Sequence, residues 1–261
     1  MSEKALYETR SALLNLSHEL GREDRTFAVL GEGNVSARLT EVSFLVKASG
    51  STLANLQEND LVQCNASMLL AQLDKSSLSD AEMETMLLAC RTDSSSKKPS
   101  IEALFHSYLL TLPNIEFVSH THPLGVNQIM CSPRAQVFAK RRIFPEQIVY
   151  CGLSSVLVPY TDPGLPLAQS IRRESESYLK KYRRAPQTIL LKNHGLITLG
   201  PTAQAVWAAA VIAEKAATIF IGAAGLGGPT YMSQKNSLRI WQRPDEHYRR
   251  SLIDGTPYPR R

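Results

Sequence analysis

Short apolar runs of strand length alternate with helical segments along this chain, and no change in composition divides them. That alternation is the tightest constraint on its fold, because period-2 and period-3.6 patterns bury different faces. Residues 3–20 carry a helical stripe built on Leu6, Leu13, Leu14 and Leu16. Strand-like runs follow at 27–30, 35–39 and 44–48. Gly31-Glu-Gly-Asn34 separates the first two, and Ser49-Gly50-Ser51 ends the third. Ser79-Asp-Ala-Glu82 is a capping box that opens a helix reaching about Cys90. Residues 91–99 are polar and resemble a linker, and Pro99-Ser100 predicts a helix start running to about Leu112. Residues 115–122 read as a strand. Residues 187–191 and 196–199 flank the turn Lys192-Asn-His-Gly195, which is hairpin chemistry. An alanine-rich helix over 203–221 ends in the glycines of 222–228. Gly222-Ala-Ala-Gly-Leu-Gly227 follows a helix instead of a strand, so it reads as a terminator and not a nucleotide loop. The pattern implies one α/β domain.

With 43% apolar residues in 261, the chain can bury a sizeable core. Its apolar stretches are interrupted before the eighteen or so residues of a membrane span, so no membrane role is expected. Residues 1–20 contain Glu3, Glu8 and Glu19 and lack a secretory pattern. Cys64, Cys90, Cys131 and Cys151 have no CxxC spacing and read as reduced thiols, which points to the cytoplasm. The net charge of +5 comes partly from a cluster at Lys180, Lys181, Arg183 and Arg184 and from Arg260 and Arg261. The cluster reads as solvated surface. It lacks the aromatic-interleaved stripe of a nucleic-acid binder, so no nucleic-acid partner is expected. The mild positive bias suits an anionic substrate.

His120-Thr-His122 places two imidazoles at i and i+2, on one face of a strand. His194 adds a third in the hairpin turn. Three neutral imidazoles suit zinc, and a three-ligand site leaves a position open for water or substrate. By spacing alone the set reads equally as surface or turn histidines. The surrounding motifs change the balance. Pro99-Ser-Ile-Glu102, Phe117-Val-Ser-His-Thr-His-Pro123 and Ile189-Leu-Leu-Lys-Asn-His-Gly195 occur in that order, after Gly33-Asn-Val-Ser-Ala-Arg38 and Lys47-Ala-Ser-Gly50. Together they resemble the class II aldolase/adducin family, from the first helix to about Gly225.

The resemblance implies a single three-layer α/β/α domain over residues 1–261, with a largely antiparallel central sheet and a C-terminal tail from about 229. It implies Zn²⁺, or another divalent ion such as Mn²⁺ or Co²⁺, on His120, His122 and His194. Glu102 is implied as the catalytic proton shuttle; by position alone it reads as an acid capping a helix start. Asn34, Ser49, Gly50 and Ser100 are implied as substrate-binding residues, an anion cradle. Lys47 adds a charge there or is an ordinary strand-edge lysine. Ile101 stands where sugar-phosphate aldolases carry a second serine, which leaves the phosphate open. His106 lies one turn from Glu102 and either orients it or is a satisfied core histidine. Glu146 falls near the acidic proton carrier of the epimerases.

The implied activity is a zinc-dependent aldolase making or breaking a carbon–carbon bond beside a ketone in a small sugar phosphate or related hydroxy-keto compound. A 4-epimerase and a sugar-acid-phosphate decarboxylase are alternatives on the same site, and a non-catalytic adducin-like interaction module is a third. A homotetramer is implied, with a neighbour's tyrosine as distal proton donor; Tyr231 and Tyr248 are the candidates by position.

Overall fold

In the computed structural model, which describes residues 2–255, the strand-like runs assemble into one seven-stranded sheet. The strands are β1 (Asn34–Arg38), β2 (Ser43–Lys47), β3 (Leu61–Asn65), β4 (Phe117–Thr121), β5 (Val156–Val158), β6 (Thr188–Leu191) and β7 (Gly195–Gly200). Their order is β3-β2-β1-β4-β7-β6-β5. Neighbours are antiparallel except β5 and β6, so the sheet is largely antiparallel, as expected, but mixed, with one parallel pair at its edge. The parallel pair exists because helix α8 (Leu165–Tyr182) carries the chain from β5 to β6, the kind of long crossover a parallel pairing requires.

Alternation along each strand divides the core in two. Phe44, Val46, Val118, Ile189 and Ile197 face one side, under α2 (Ala66–Leu70), α3 (Asp80–Ala89), α4 (Ala103–Leu109) and α8. Val35, Ala37, Leu45, Leu190 and Leu196 face the other, under α1 (Glu3–Leu20), α5 (Leu124–Met130), α6 (Ala135–Lys140) and α9 (Ala203–Ala224). Each Leu or Ile so buried contributes roughly 1.5–3 kcal/mol. By length and composition α9 is apolar enough to cross a bilayer, contrary to expectation. Within this fold it is a core helix: its alanines bury against the sheet, and its Glu214 accepts the N–H groups of Gly125 and Val126 at the start of α5. Helix α7 (Pro145–Cys151) leads towards β5. Beyond residue 229 the described chain forms α10 (Gln234–Gln242) and α11 (Pro244–Asp254), with Ile240 packed on Ile148 and Val149 of α7.

Several local expectations change. Residues 27–30 form no strand, because Thr26 and Leu30 take left-handed backbone that cannot join a ladder. The edge strand β3 is an addition to the expected elements; in it buried Val62 and Cys64 alternate with the less buried Gln63 and Asn65. The segment 91–99 is not a linker. Bridges pair Arg91 with Cys64 and Pro99 with Ala48, and Lys97 holds Asp60 at 2.6 Å. That docking also delays α4: Ser100 donates its N–H to the Lys47 carbonyl, so the helix begins at Ala103. The capping box is present, with Ser79 and Glu82 satisfying each other's backbone N–H groups.

Candidate metal centre

Three segments meet at the end of β4. His120 is the fourth residue of that strand, His122 follows just beyond it, and His194 sits in the β6–β7 turn. Cross-strand pairing puts His120 opposite both Asn34 and Ile197. The turn is shaped by Asn193, whose φ of 54° is left-handed, and by the His194 N–H donating to the Leu191 carbonyl. Gly195 lets it approach. A Cβ there would lie 2.6 Å from the Thr121 carbonyl oxygen and 2.7 Å from His122 Cδ2. No side chain fits between the turn and the histidine pair.

The three imidazoles converge through their ε nitrogens. His120 Nε2 lies 3.0 Å from His122 Nε2 and 3.2 Å from His194 Nε2. His120 Nδ1 is 3.1 Å from the Leu196 carbonyl oxygen. A carbonyl only accepts, so Nδ1 carries the proton and Nε2 turns its lone pair inward. Burial, then His122 and His194, hold His120 well below the usual histidine range. Burial likewise pushes His194 down to about 4, with His122 adding to it. Three imidazoles whose ligand nitrogens lie within 4.8 Å of one another can share one positive centre. Tetrahedral zinc at its usual bond length spaces ligand nitrogens roughly 3.3 Å apart, close to what is seen. The donor set fits a divalent ion.

Glu102, at the cap of α4, reaches the same point. Its Oε1 is 3.3 Å from His120 Nε2 and 3.7 Å from His194 Nε2, and its Oε2 accepts from Asn34 Nδ2 at 3.4 Å. Burial pushes its carboxyl up to about 7, against the opposing pull of the Asn34 amide and the Lys47 ammonium. Ser100 Oγ accepts the Glu102 N–H at 3.3 Å, which fixes the backbone beneath the acid. A second carboxylate, Glu32, stands 3.5 Å from His122 Nδ1. Sequence reasoning missed it, although it lies inside the Gly31–Asn34 turn that was singled out.

A profile for the class II aldolase and adducin N-terminal domain matches residues 11–221, most of the chain. The chain belongs to that family. One relative, the "uncharacterized oxidoreductase YuxG" of Bacillus subtilis (strain 168), is 29% identical over 189 residues, 69% of this chain. The chain spans only 25% of that protein's length. A second, the 3-oxo-tetronate 4-phosphate decarboxylase of Haemophilus influenzae, is 28% identical over 196 residues, 74% of this chain and 79% of that protein. Among solved structures, an L-fuculose 1-phosphate aldolase superposes with a TM-score of 0.68 at 16% identity, over 93% of this chain and 96% of that one. YgbL of Escherichia coli, a candidate aldolase/epimerase/decarboxylase, gives 0.66 at 22% identity, over 90% and 98%. At those identities the structural matches establish the fold.

In this member of the class II aldolase and adducin family, the remaining expected residues divide. The Ser49–Gly50 turn adjoins the Glu102 segment, with the Ser49 N–H donating to the Lys98 carbonyl; Gly50 is left-handed and open on its Cβ side. Lys47 is 3% exposed, so it is no ordinary strand-edge lysine; its Nζ donates to the Ser51 carbonyl at 2.6 Å. His106 does not orient the Glu102 carboxylate. Its Nδ1 pairs with Ser36 Oγ of β1 at 2.6 Å, and its ring stacks on Phe105. Glu146 lies in the first turn of α7, a helix packed on α9 and α10 and apart from the segments that carry the three histidines. Tyr231 packs under the Arg141 guanidinium, 5.0 Å from ring centre to Cζ, and Tyr248 is exposed on α11.

Proposed function

We propose that this chain is a metal-dependent carbon–carbon lyase, an aldolase acting on a small hydroxy-keto compound, with zinc on His120, His122 and His194. The observation that carries the reading is the meeting of three ε nitrogens with one buried carboxyl, 3.0 to 3.3 Å from His120 Nε2. These three histidines would hold a divalent ion, which would supply Lewis-acid stabilisation of the charge that develops on the substrate oxygen. Glu102 then moves the proton at the neighbouring carbon, for which a carboxyl titrating near neutrality is suited. Asn34 holds Oε2 so that Oε1 faces the histidines. Ser49, Gly50 and Ser100 lie on the segments flanking that acid and bind the anionic end of the substrate. Manganese or cobalt would serve the same ligands, and a homotetramer would let a neighbour's tyrosine supply the distal proton.

Decarboxylation of a sugar-acid phosphate is the second reading. The named activity of the Haemophilus influenzae relative favours it, and a proton delivered to carbon by Glu102 serves it equally. The test is zinc-loaded protein incubated with ketose phosphates, their free sugars and 3-oxo-acid phosphates. Released aldehyde supports the aldolase, released carbon dioxide the decarboxylase, and an inverted product the 4-epimerase. No turnover of any of them by protein of verified metal content would overturn the lyase.

A further inference from the structure

The basic cluster at residues 180–184 is not merely solvated surface. Arg184 stacks its Cζ 3.8 Å from the centre of the Trp241 ring, and Arg250 does the same at 3.8 Å. Two guanidiniums that close to one ring centre fit only on opposite faces, so the indole is clamped between two cations. This clamp forms one wall of an open cleft of about 500 Å³. Arg183, in left-handed backbone at the end of α8, adds a third guanidinium to the rim. Ile115, Tyr150, Pro186 and Pro201 supply an apolar floor.

The cleft lies at the far end of the strands that carry the histidines. It is bordered by Leu199 and Gly200 at the end of β7, whereas Gly195 at its start touches the metal ligands. Six strand residues span roughly 17 Å. The cleft is therefore separate from the candidate metal centre.

Its cations exceed its acids. Glu116 is paired with Arg38. Asp254 is raised by burial and answers to Arg250. Arg184 is half-buried and has no salt bridge or hydrogen bond among the described residues, only the indole face. A stacked guanidinium keeps its N–H edge available, and that planar fork matches phosphate oxygens.

We propose that this cleft is a second ligand site, which binds a phosphate monoester of a small organic molecule by the Arg184 fork, its body resting on the apolar floor. Trp241 is the built-in reporter. In a Trp207→Phe background it is the chain's sole indole, since Trp207 and Trp241 are the two tryptophans. The experiment titrates this protein with glucose 6-phosphate and with inorganic phosphate, following indole emission against sodium chloride at matched ionic strength. The expected result is a saturable change with either phosphate, tighter for the monoester. Arg184→Met, which keeps the stem, should weaken it at least about tenfold, while Arg184→Lys should weaken it less and His120→Ala not at all. Circular dichroism confirms that each variant is folded. A response equal to that of chloride, or one undiminished in folded Arg184→Met, would overturn the site. A response lost in His120→Ala would assign the binding to the metal centre and equally overturn it.

Discussion

At the histidine end of β4 and β7, burial drives polar groups to their neutral forms, whereas beside edge strand β3 the buried Asp60 keeps its charge. Desolvation acts on both. Burial raises Asp60 too, but hydrogen bonds from Lys97, Ser51 and the Gln57 N–H outweigh it and bring the carboxyl down to about 2. Those partners stand at 2.6, 2.7 and 2.9 Å, so the acceptor capacity of Asp60 is used within the protein. Glu102 has one amide, at 3.4 Å, and faces lone pairs. The difference separates a structural polar corner from a reactive one. The first is saturated by its own chain, and the second holds capacity for something the chain does not supply.

The hardest test of that contrast removes a lone pair. His120→Ala should reduce bound metal from about one ion per chain to background and abolish turnover, because two imidazoles do not hold zinc in a three-ligand site. Elemental analysis after gel filtration checks it, and an unchanged metal content would show that the convergence has another role. Next comes Glu102→Gln. It should keep the metal and lower the rate by roughly 10²–10⁴-fold, since the amide preserves shape but carries no proton. Solvent-deuterium exchange on protein of verified metal content is the readout. Metal lost together with activity would make Glu102 a ligand instead of a shuttle.

Much of this end was legible because its signals are local. The HxH spacing works through strand alternation, and Lys192–Gly195 is a turn by its own residues. Glu32 was not legible: it sits 90 positions before His122, and nothing in its turn predicts where it points. The same holds for His106, whose partner Ser36 is 70 residues away, and for Arg184 on Trp241. Residues 27–30 misled for a different reason. Their apolar run is real, and Phe27 is buried, but left-handed backbone at Thr26 just before the run and at Leu30, its last residue, overrides propensity. Composition predicted a linker at 91–99, because an ion pair to Asp60 and two isolated bridges leave no trace in a polar, serine-rich sequence.

Gly195→Ala probes the contrast by geometry alone, with every functional group retained. The added methyl meets backbone at Thr121 and the ring of His122, so the hairpin must retreat from its partners. Metal affinity should fall by about 10–100-fold, as it does when outer supports of a metal ligand are removed. Stability should fall by on the order of 1–3 kcal/mol. Isothermal titration with zinc separates the two, and wild-type affinity would mean that the approach of the turn is not what sets the site.

The smallest effect gives the comparison its sign. Glu102 in metal-free protein has a folded pKa of about 7, above its ordinary 4.5, so the folded state holds the proton more tightly. Its ionisation therefore costs stability, a cost absent below about 4.5 and complete above about 7. Asp60 is the reverse. Its folded pKa of about 2 lies below the ordinary 3.8, so its contribution is full above about 3.8 and is lost as pH falls towards 2. Glu102→Gln should then stabilise metal-free protein at pH 8, by on the order of 2 kcal/mol, with the gain vanishing near pH 4.5. Asp60→Asn should destabilise at pH 8 by on the order of 1–2 kcal/mol, with part of the exposed Lys97 contribution screened, and the loss should shrink between pH 4 and 2. Urea unfolding of both variants at pH 8 and 4.5, and of Asp60→Asn down to pH 2, gives the two curves. If both variants move stability the same way at pH 8, the distinction between a saturated and an unsaturated buried acid does not hold in this sheet.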